Sequence, residues 1–173
     1  MKEIASYDFA AKKFYAQQDL NSLPLHSWDL FSSKLSSLRQ GLDEVTTLRM
    51  LGHMNKWNDF SLFEKEILQK NHIVVVTDAQ LKIVHASESI FEMNGYRPKE
   101  IIGKNPKMFQ GKNTCKKTSQ KIREAIENQE IFDEVVLNYR KDGSTYNCWI
   151  KGFPIKNRKG KVVNFIAFER EVA

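Results

Sequence analysis

The sequence predicts an α+β domain over residues 70–173, preceded by an N-terminal helical extension over residues 1–69. Three observations predict it. Apolar residues recur at helical spacing as far as Lys70, and the period shortens to that of strands from Ile73. The strand-like segments then fall as two, a helical middle, and three more. A hydrophobic content of 41% with 28% charge belongs to a globular chain, and 173 residues hold one ordinary domain plus an extension.

Within the extension, Asp8 caps a helix over residues 9–18, and residues 21–24 break it at Pro24. Ser27 caps a second helix, with Trp28, Phe31, Leu35 and Leu38 at helical spacing and Gly41 as its stop. Asp43 starts a third, with Val45, Leu48 and Leu51 on one face. Ser61 and Glu64 have capping-box spacing for a fourth, which ends near Lys70 and carries Phe63, Ile67 and Leu68. Each of these helices is short and has one apolar face, so each needs a surface to pack on.

The domain opens with the β-branched run Ile73-Val74-Val75-Val76 and a second strand over residues 81–86, paired as a hairpin through a turn at residues 78–80. Short helices follow at residues 88–93 and 98–102, and another begins at Asn105. Residues 118–128 form a longer amphipathic helix with Ile122 and Ile126 inward. Strands at 132–139, 144–155 and 161–171 close the chain, joined by turns at 140–143 and 157–160. Alternation turns Tyr146, Cys148, Ile150 and Gly152 inward, and Asn147, Trp149, Lys151 and Phe153 outward. On the last strand Phe165, Ala167 and Glu169 face inward, and Ile166 and Phe168 outward. Gly152 takes a side chain away from the inner face, so Gly152, Ala167, Ile150, Val74 and Val76 are expected to line an apolar small-molecule pocket. The outer row of Trp149, Phe153, Ile166 and Phe168 needs a cover, from the N-terminal helices or from a second subunit.

Several function classes drop out. The net charge of +6 comes from scattered lysines without aromatic interleaving, which argues against a nucleic-acid face. No apolar run approaches the roughly 18 residues of a membrane helix, and Met1-Lys2-Glu3 opens no signal peptide. The two cysteines, Cys115 and Cys148, suit a reducing, cytoplasmic setting. His26, His53, His72 and His85 lack metal-ligand spacing, and neither a Gly-rich phosphate loop nor a nucleophile–base pair is present. The expectation is a binding module that is not an enzyme and holds no metal.

Residues 101–111, Ile-Ile-Gly-Lys-Asn-Pro-Lys-Met-Phe-Gln-Gly, with Glu92-Met93-Asn94-Gly95-Tyr96 before them and Leu137-Asn138-Tyr139-Arg140-Lys141-Asp142-Gly143 after, resemble a PAS sensor domain. Within that family they are similar to the flavin-binding light-oxygen-voltage (LOV) branch. The resemblance spans about residues 70–173 and does not extend over residues 1–69. It implies a five-stranded antiparallel sheet with helices on one face, FMN between the two, and a response to blue light or redox state. Asn105 and Gln110 match residues that contact the ribityl chain and ring. Lys107 stands where one phosphate-binding Arg belongs, and Arg123 matches the second. Asn138 matches the Asn that reads the pyrimidine edge, Cys148 stands in place of a second such Asn, and Glu169 replaces a Gln beside the ring's reactive nitrogen. Ile150 and Gly152 belong to the same wall.

The LOV signature carries its photoactive Cys where this chain has Pro106, so the usual bond to flavin cannot form there. Cys148 is an inward thiol on the opposite wall and is open to two readings, a relocated nucleophile or a buried core cysteine. Asn105-Pro106 is also a good helix start, which leaves a flavin-free PAS domain for dimerisation or another ligand as the alternative. Output is expected through association, as a homodimer using the outer sheet face, the N-terminal helices or both, and onward to a downstream signalling protein. A chain that is one piece of a longer protein is the other expectation.

Overall fold

The computed structural model of the protein describes residues 26–58, 60–70 and 72–173, and the helix expected over residues 9–18 lies outside them. Two compact units divide between Leu38 and Arg39. In the first, residues 26–38 are helical.

The second unit is built on a five-stranded antiparallel sheet of β1 (Ile73–Asp78), β2 (Ile83–Ala86), β3 (Phe132–Tyr139), β4 (Thr145–Lys156) and β5 (Val162–Val172), in the spatial order β2-β1-β5-β4-β3. This is the expected α+β architecture. β1 and β5 sit centrally, and β1 is the most continuously apolar strand because both of its faces are covered. On the inner face lie α3 (Ile90–Asn94), α4 (Pro98–Ile101) and a 3-10 turn (Pro106–Phe109). Their Ile90, Met93, Ile101 and Phe109 pack with Ile73, Val75, Tyr146 and Cys148. α5 (Lys116–Glu127) follows and runs beside β3.

The outer face is covered from within the chain. Val45 and Leu48 of α1 (His26–Asn55), Trp57, and Ile67 of α2 (Ser61–Lys70) pack on Val74, Val76, Ile155, Ile166 and Phe168. The Phe63 ring lies 5.8 Å from Phe153 and 6.1 Å from Phe168. Burying a side chain such as Phe168 contributes roughly 1.5–3 kcal/mol, so this layer stabilises both the sheet and the helices that cover it.

Three local expectations are corrected. The second and third helices are one, α1, and Gly41 does not stop it. An interior glycine costs roughly 1 kcal/mol, which the burial of Val45 and Leu48 offsets. The helix ends at Asn55 instead, where Lys56 takes φ +56° and the Trp57 N–H donates back to Gly52 O at 2.9 Å. Gly52 admits the Trp57 ring, because a Cβ there would lie 3.0 Å from it. Second, Val74 and Val76 face outward, and the inward residues of β1 are Ile73, Val75 and Thr77. The register decides this, since Val75 stands opposite the inward Ala167 and Thr77 opposite Phe165. Third, β2 begins at Ile83. Leu81 takes φ +61° in a turn whose Gln80 and Lys82 N–H groups both donate to Asp78 Oδ1.

Candidate functional site

Between the inner face and the helices is a cavity of about 380 Å³, within the usual range for a small-molecule site. Its floor is a row across four strands, in which Val75, Ala167, Gly152 and Phe132 are successive cross-strand partners. Ile150 and Glu169, also directly paired, add the next row. The roof is Phe109 with Ile122 and Ile126 of α5. α5 is strongly amphipathic yet has no fully buried residue, because its apolar side looks into this space and not onto packed atoms.

The mouth is set by the segment from Asn105 to Arg123. Asn105 Oδ1 accepts the Lys107 N–H at 3.0 Å and so caps the 3-10 turn, with Pro106 in its first position. Gln110 Oε1 accepts the Ser119 hydroxyl at 3.2 Å. Gly111 is required next, because a Cβ there would come within 2.5 Å of the Tyr139 ring. The Tyr139 hydroxyl in turn accepts the Asn113 N–H at 2.9 Å, which ties this loop to β3. Lys107 and Arg123 are exposed at the rim, where Lys112 and Lys116 line a shallower cleft beside them. Arg123 Nε donates to Glu127 Oε1 at 2.8 Å, a hydrogen bond that raises the guanidinium pKa.

Inside the cavity the polar groups are few and poorly satisfied. Thr77 Oγ1 and Asn138 Oδ1 are buried and line it, and among the described residues neither closes a hydrogen bond of normal geometry. Buried polar atoms are normally paired, so both point to a polar guest. Deeper in, the Tyr146 hydroxyl feels the nearby amides of Asn94 and Asn138, yet Tyr146 Oη and Asn94 Nδ2 also close no bond of normal geometry. Burial pushes the Glu169 carboxyl up to about 7, against a small opposing effect of a hydrogen bond from Cys148. Burial, and then the charge of Glu169, push the Cys148 thiol well up, so it stays neutral.

The structure gathers Asn105, Lys107, Gln110, Arg123, Asn138, Ile150, Gly152 and Glu169 around one cavity. Cys148 is not on its wall. The Cys148 side chain is fully buried in the inner core, in one cluster with Val75, Phe109 and Ile150 of the cavity wall, with Sγ 3.8 Å from Glu169 Oε2 and 3.7 Å from Trp149 O. Sequence reasoning missed Thr77, Phe109 and Phe132. Thr77 was legible only with β1 in its proper phase, and Phe132 only as the partner of Gly152.

A family model described as a PAS domain matches residues 70–173. The chain belongs to the PAS domain family. Its PAS region is 39% identical to phototropin-2 of Oryza sativa subsp. japonica over 102 residues, 57% of this chain and 11% of that protein. It is 36% identical to Protein TWIN LOV 1 of Arabidopsis thaliana over 115 residues, 64% of this chain and 29% of that protein. The chain therefore spans less than a third of the length of these relatives. Among solved structures, the dark structure of the LOV domain of the blue-light photoreceptor Aureochrome1 superposes with a TM-score of 0.61 at 32% identity, covering 66% of this chain and 85% of that one. A second LOV domain, studied with a flavin analogue, gives a TM-score of 0.61 at 32% identity, over 66% of this chain and 87% of that one. The region is thus a LOV-type PAS domain homologous to blue-light photoreceptor domains. No helix among the described residues is long and apolar enough to cross a membrane.

Proposed function

We propose that this PAS domain is a flavin-binding sensor, responsive to blue light or redox state, that signals by conformational change and protein association. The observation that carries the reading is the cavity itself. It is a mostly apolar space lined by two buried polar atoms, Thr77 Oγ1 and Asn138 Oδ1, that close no hydrogen bond of normal geometry among the described residues, with Lys107 and Arg123 at its mouth. That donor set fits FMN, whose ring has amide-like edges and whose side chain ends in a phosphate. A bound flavin supplies absorption of blue light and acceptance of electrons.

The chain's own residues do the rest. Lys107 serves the phosphate as a point charge, and Arg123 exchanges Glu127 for it. Phe109, Ile122 and Ile126 keep water from the ring. Glu169 holds or releases a proton at its carboxyl close to neutral pH. With Pro106 in the signature and Cys148 off the cavity wall, we favour a response without a bond to cysteine, carried by the protonation of Glu169. The flavin-free alternative draws on the fact that Asn105 and Arg123 already have partners within the protein. We further propose homodimerisation through α1, because α1 and α2 already occupy the outer sheet face.

Colour tests the reading. The purified protein, or the protein mixed with FMN, is expected to be yellow with a structured blue absorption band, and a colourless preparation that takes up no FMN removes it. Cys148→Ala is expected to keep any light-driven bleaching, while Glu169→Gln alters its rate. Bleaching abolished by Cys148→Ala would move the chemistry to the thiol.

A further inference from the structure

Gly152 lies in the interior of a twelve-residue strand, where glycine lacks a side chain to pack and weakens the strand. Its place is not empty. A Cβ on Gly152 would stand 2.1 Å from Phe132 Cζ, 2.2 Å from Cε1 and 2.8 Å from Cε2, so the Phe132 ring lies across the glycine backbone. The two residues are direct cross-strand partners, and both line the cavity.

We infer that Phe132 and Gly152 act as one specificity-determining pair, in which the Phe132 ring, seated on Gly152, sets how far a planar ligand reaches along the Val75–Ala167–Gly152 floor. The inference rests on the flavin reading and adds to it the residues that size the slot.

Three features carry it. The first is the gradient of bulk along the floor row. Ala167 leaves a trough in the middle of the sheet, and the Phe132 ring, lying over Gly152, closes it from β3, an edge strand. The wall is therefore a side chain with two rotatable bonds and not fixed backbone. The second is where the ring is not. Phe132 belongs to neither hydrophobic core cluster and is only half-buried, so the cavity is a main neighbour of its ring. The third is chemistry, since an aromatic ring at one side of the cavity can meet a planar heteroaromatic ligand edge-on or offset, the geometries that aromatic pairs prefer.

The test is a double-mutant cycle on the full chain, with FMN and riboflavin titrated by fluorescence and folding checked by circular dichroism. Gly152→Ala forces the ring off the strand and into the slot. It is expected to weaken FMN binding by about tenfold or more, the loss that a typical overpacking penalty converts to. Phe132→Ala in that background removes the clash and is expected to restore binding to within about threefold of Phe132→Ala alone. Phe132→Ala by itself cannot clash, so it serves even if Gly152→Ala fails to fold. It is expected to accept a flavin with a bulky alkyl group on its ring that the unaltered protein rejects. Unchanged FMN binding in Gly152→Ala, a double variant no better than Gly152→Ala, or an unaltered preference in Phe132→Ala each overturns the inference. If the unaltered protein binds neither FMN nor riboflavin, the flavin reading fails and the inference with it. If it binds them and the cycle is additive, only the inference fails.

Discussion

At the scale of single residues, Glu169 is the most consequential side chain of the cavity, because it is a carboxyl fully enclosed and, among the described residues, without a cation beside it. The Cys148 thiol donates to Glu169 Oε2 at 3.8 Å, too weak a partner to hold a charge. Burial raises its pKa from 4.5 to about 7, so the folded state binds the proton more tightly than the unfolded chain does. Stability is then greatest below the unfolded value. It falls as pH rises from about 4.5 to about 7 and levels off above that. The span corresponds to roughly 3 kcal/mol. Glu169→Gln keeps the shape and removes the charge, so the variant is expected to match the unaltered protein near pH 4.5 and to melt several degrees higher at pH 8. Melting curves at the two pH values measure this, and equal curves at pH 8 would show that Glu169 keeps its ordinary pKa. The inward facing of this residue was readable from strand alternation, since Glu169 falls in phase with Phe165 and Ala167. Its lack of a cationic partner among the described residues was not, because that depends on which side chains the register brings opposite it.

At the scale of elements, the join between the helical layer and the sheet runs through a short buried chain of hydrogen bonds. Trp57 Nε1, just after α1, donates to Asn164 Oδ1 on β5 at 2.8 Å, and Asn164 Nδ2 donates to Thr77 O on β1 at 2.9 Å. The side chain of the same Thr77 faces the cavity. Removing either partner leaves a buried group unpaired, at a cost of about 1–3 kcal/mol. Asn164→Ala and Trp57→Phe are each expected to destabilise by that amount in urea denaturation. The double variant should lose clearly less than the sum, because one bond is counted in both. Strict additivity would mean the indole and the amide are not coupled. Neither Trp57 nor Asn164 stood out in the sequence, since a contact across more than a hundred residues leaves no local pattern. The strands whose faces differ, β4 and β5, were legible residue by residue. The phase of β1 was not, because Ile73-Val74-Val75-Val76 is apolar on both faces and only its pairing with β5 separates them. The 3-10 turn was legible because Asn105-Pro106 cap chemistry is local. The unbroken α1 was misread for the complementary reason, that a glycine signals a stop unless tertiary packing overrides it.

At the scale of the whole second unit, the cavity and the helical layer lie on opposite faces of one sheet, separated by a single strand thickness. Val75 and Thr77 face the cavity while Val74 and Val76 face α1 and α2, and Ala167 and Glu169 alternate in the same way with Ile166 and Phe168. A ligand that shifts β1 or β5 therefore acts on the helices without any further element. The helical layer in turn has apolar surface to spare. Leu42, Met50 and Met54 of α1 are 56%, 64% and 80% exposed, while Val45 and Leu48 of the same helix are spent on the sheet. Large exposed apolar groups gathered on one element mark an association surface, which is the basis for proposing a dimer through α1. Light scattering on a sizing column is expected to give twice the chain mass for the unaltered protein. Leu42→Glu combined with Met50→Glu, two solvent-facing changes that leave the sheet contacts intact, is expected to give the monomer with an unchanged melting temperature. A unaltered protein that stays monomeric at every concentration removes the dimer. A double variant that dimerises as before moves the contact off this part of α1. Repeating the measurement with FMN added and under illumination asks whether the two faces communicate, since coupling through β1 and β5 requires the monomer–dimer balance to move with the state of the cavity.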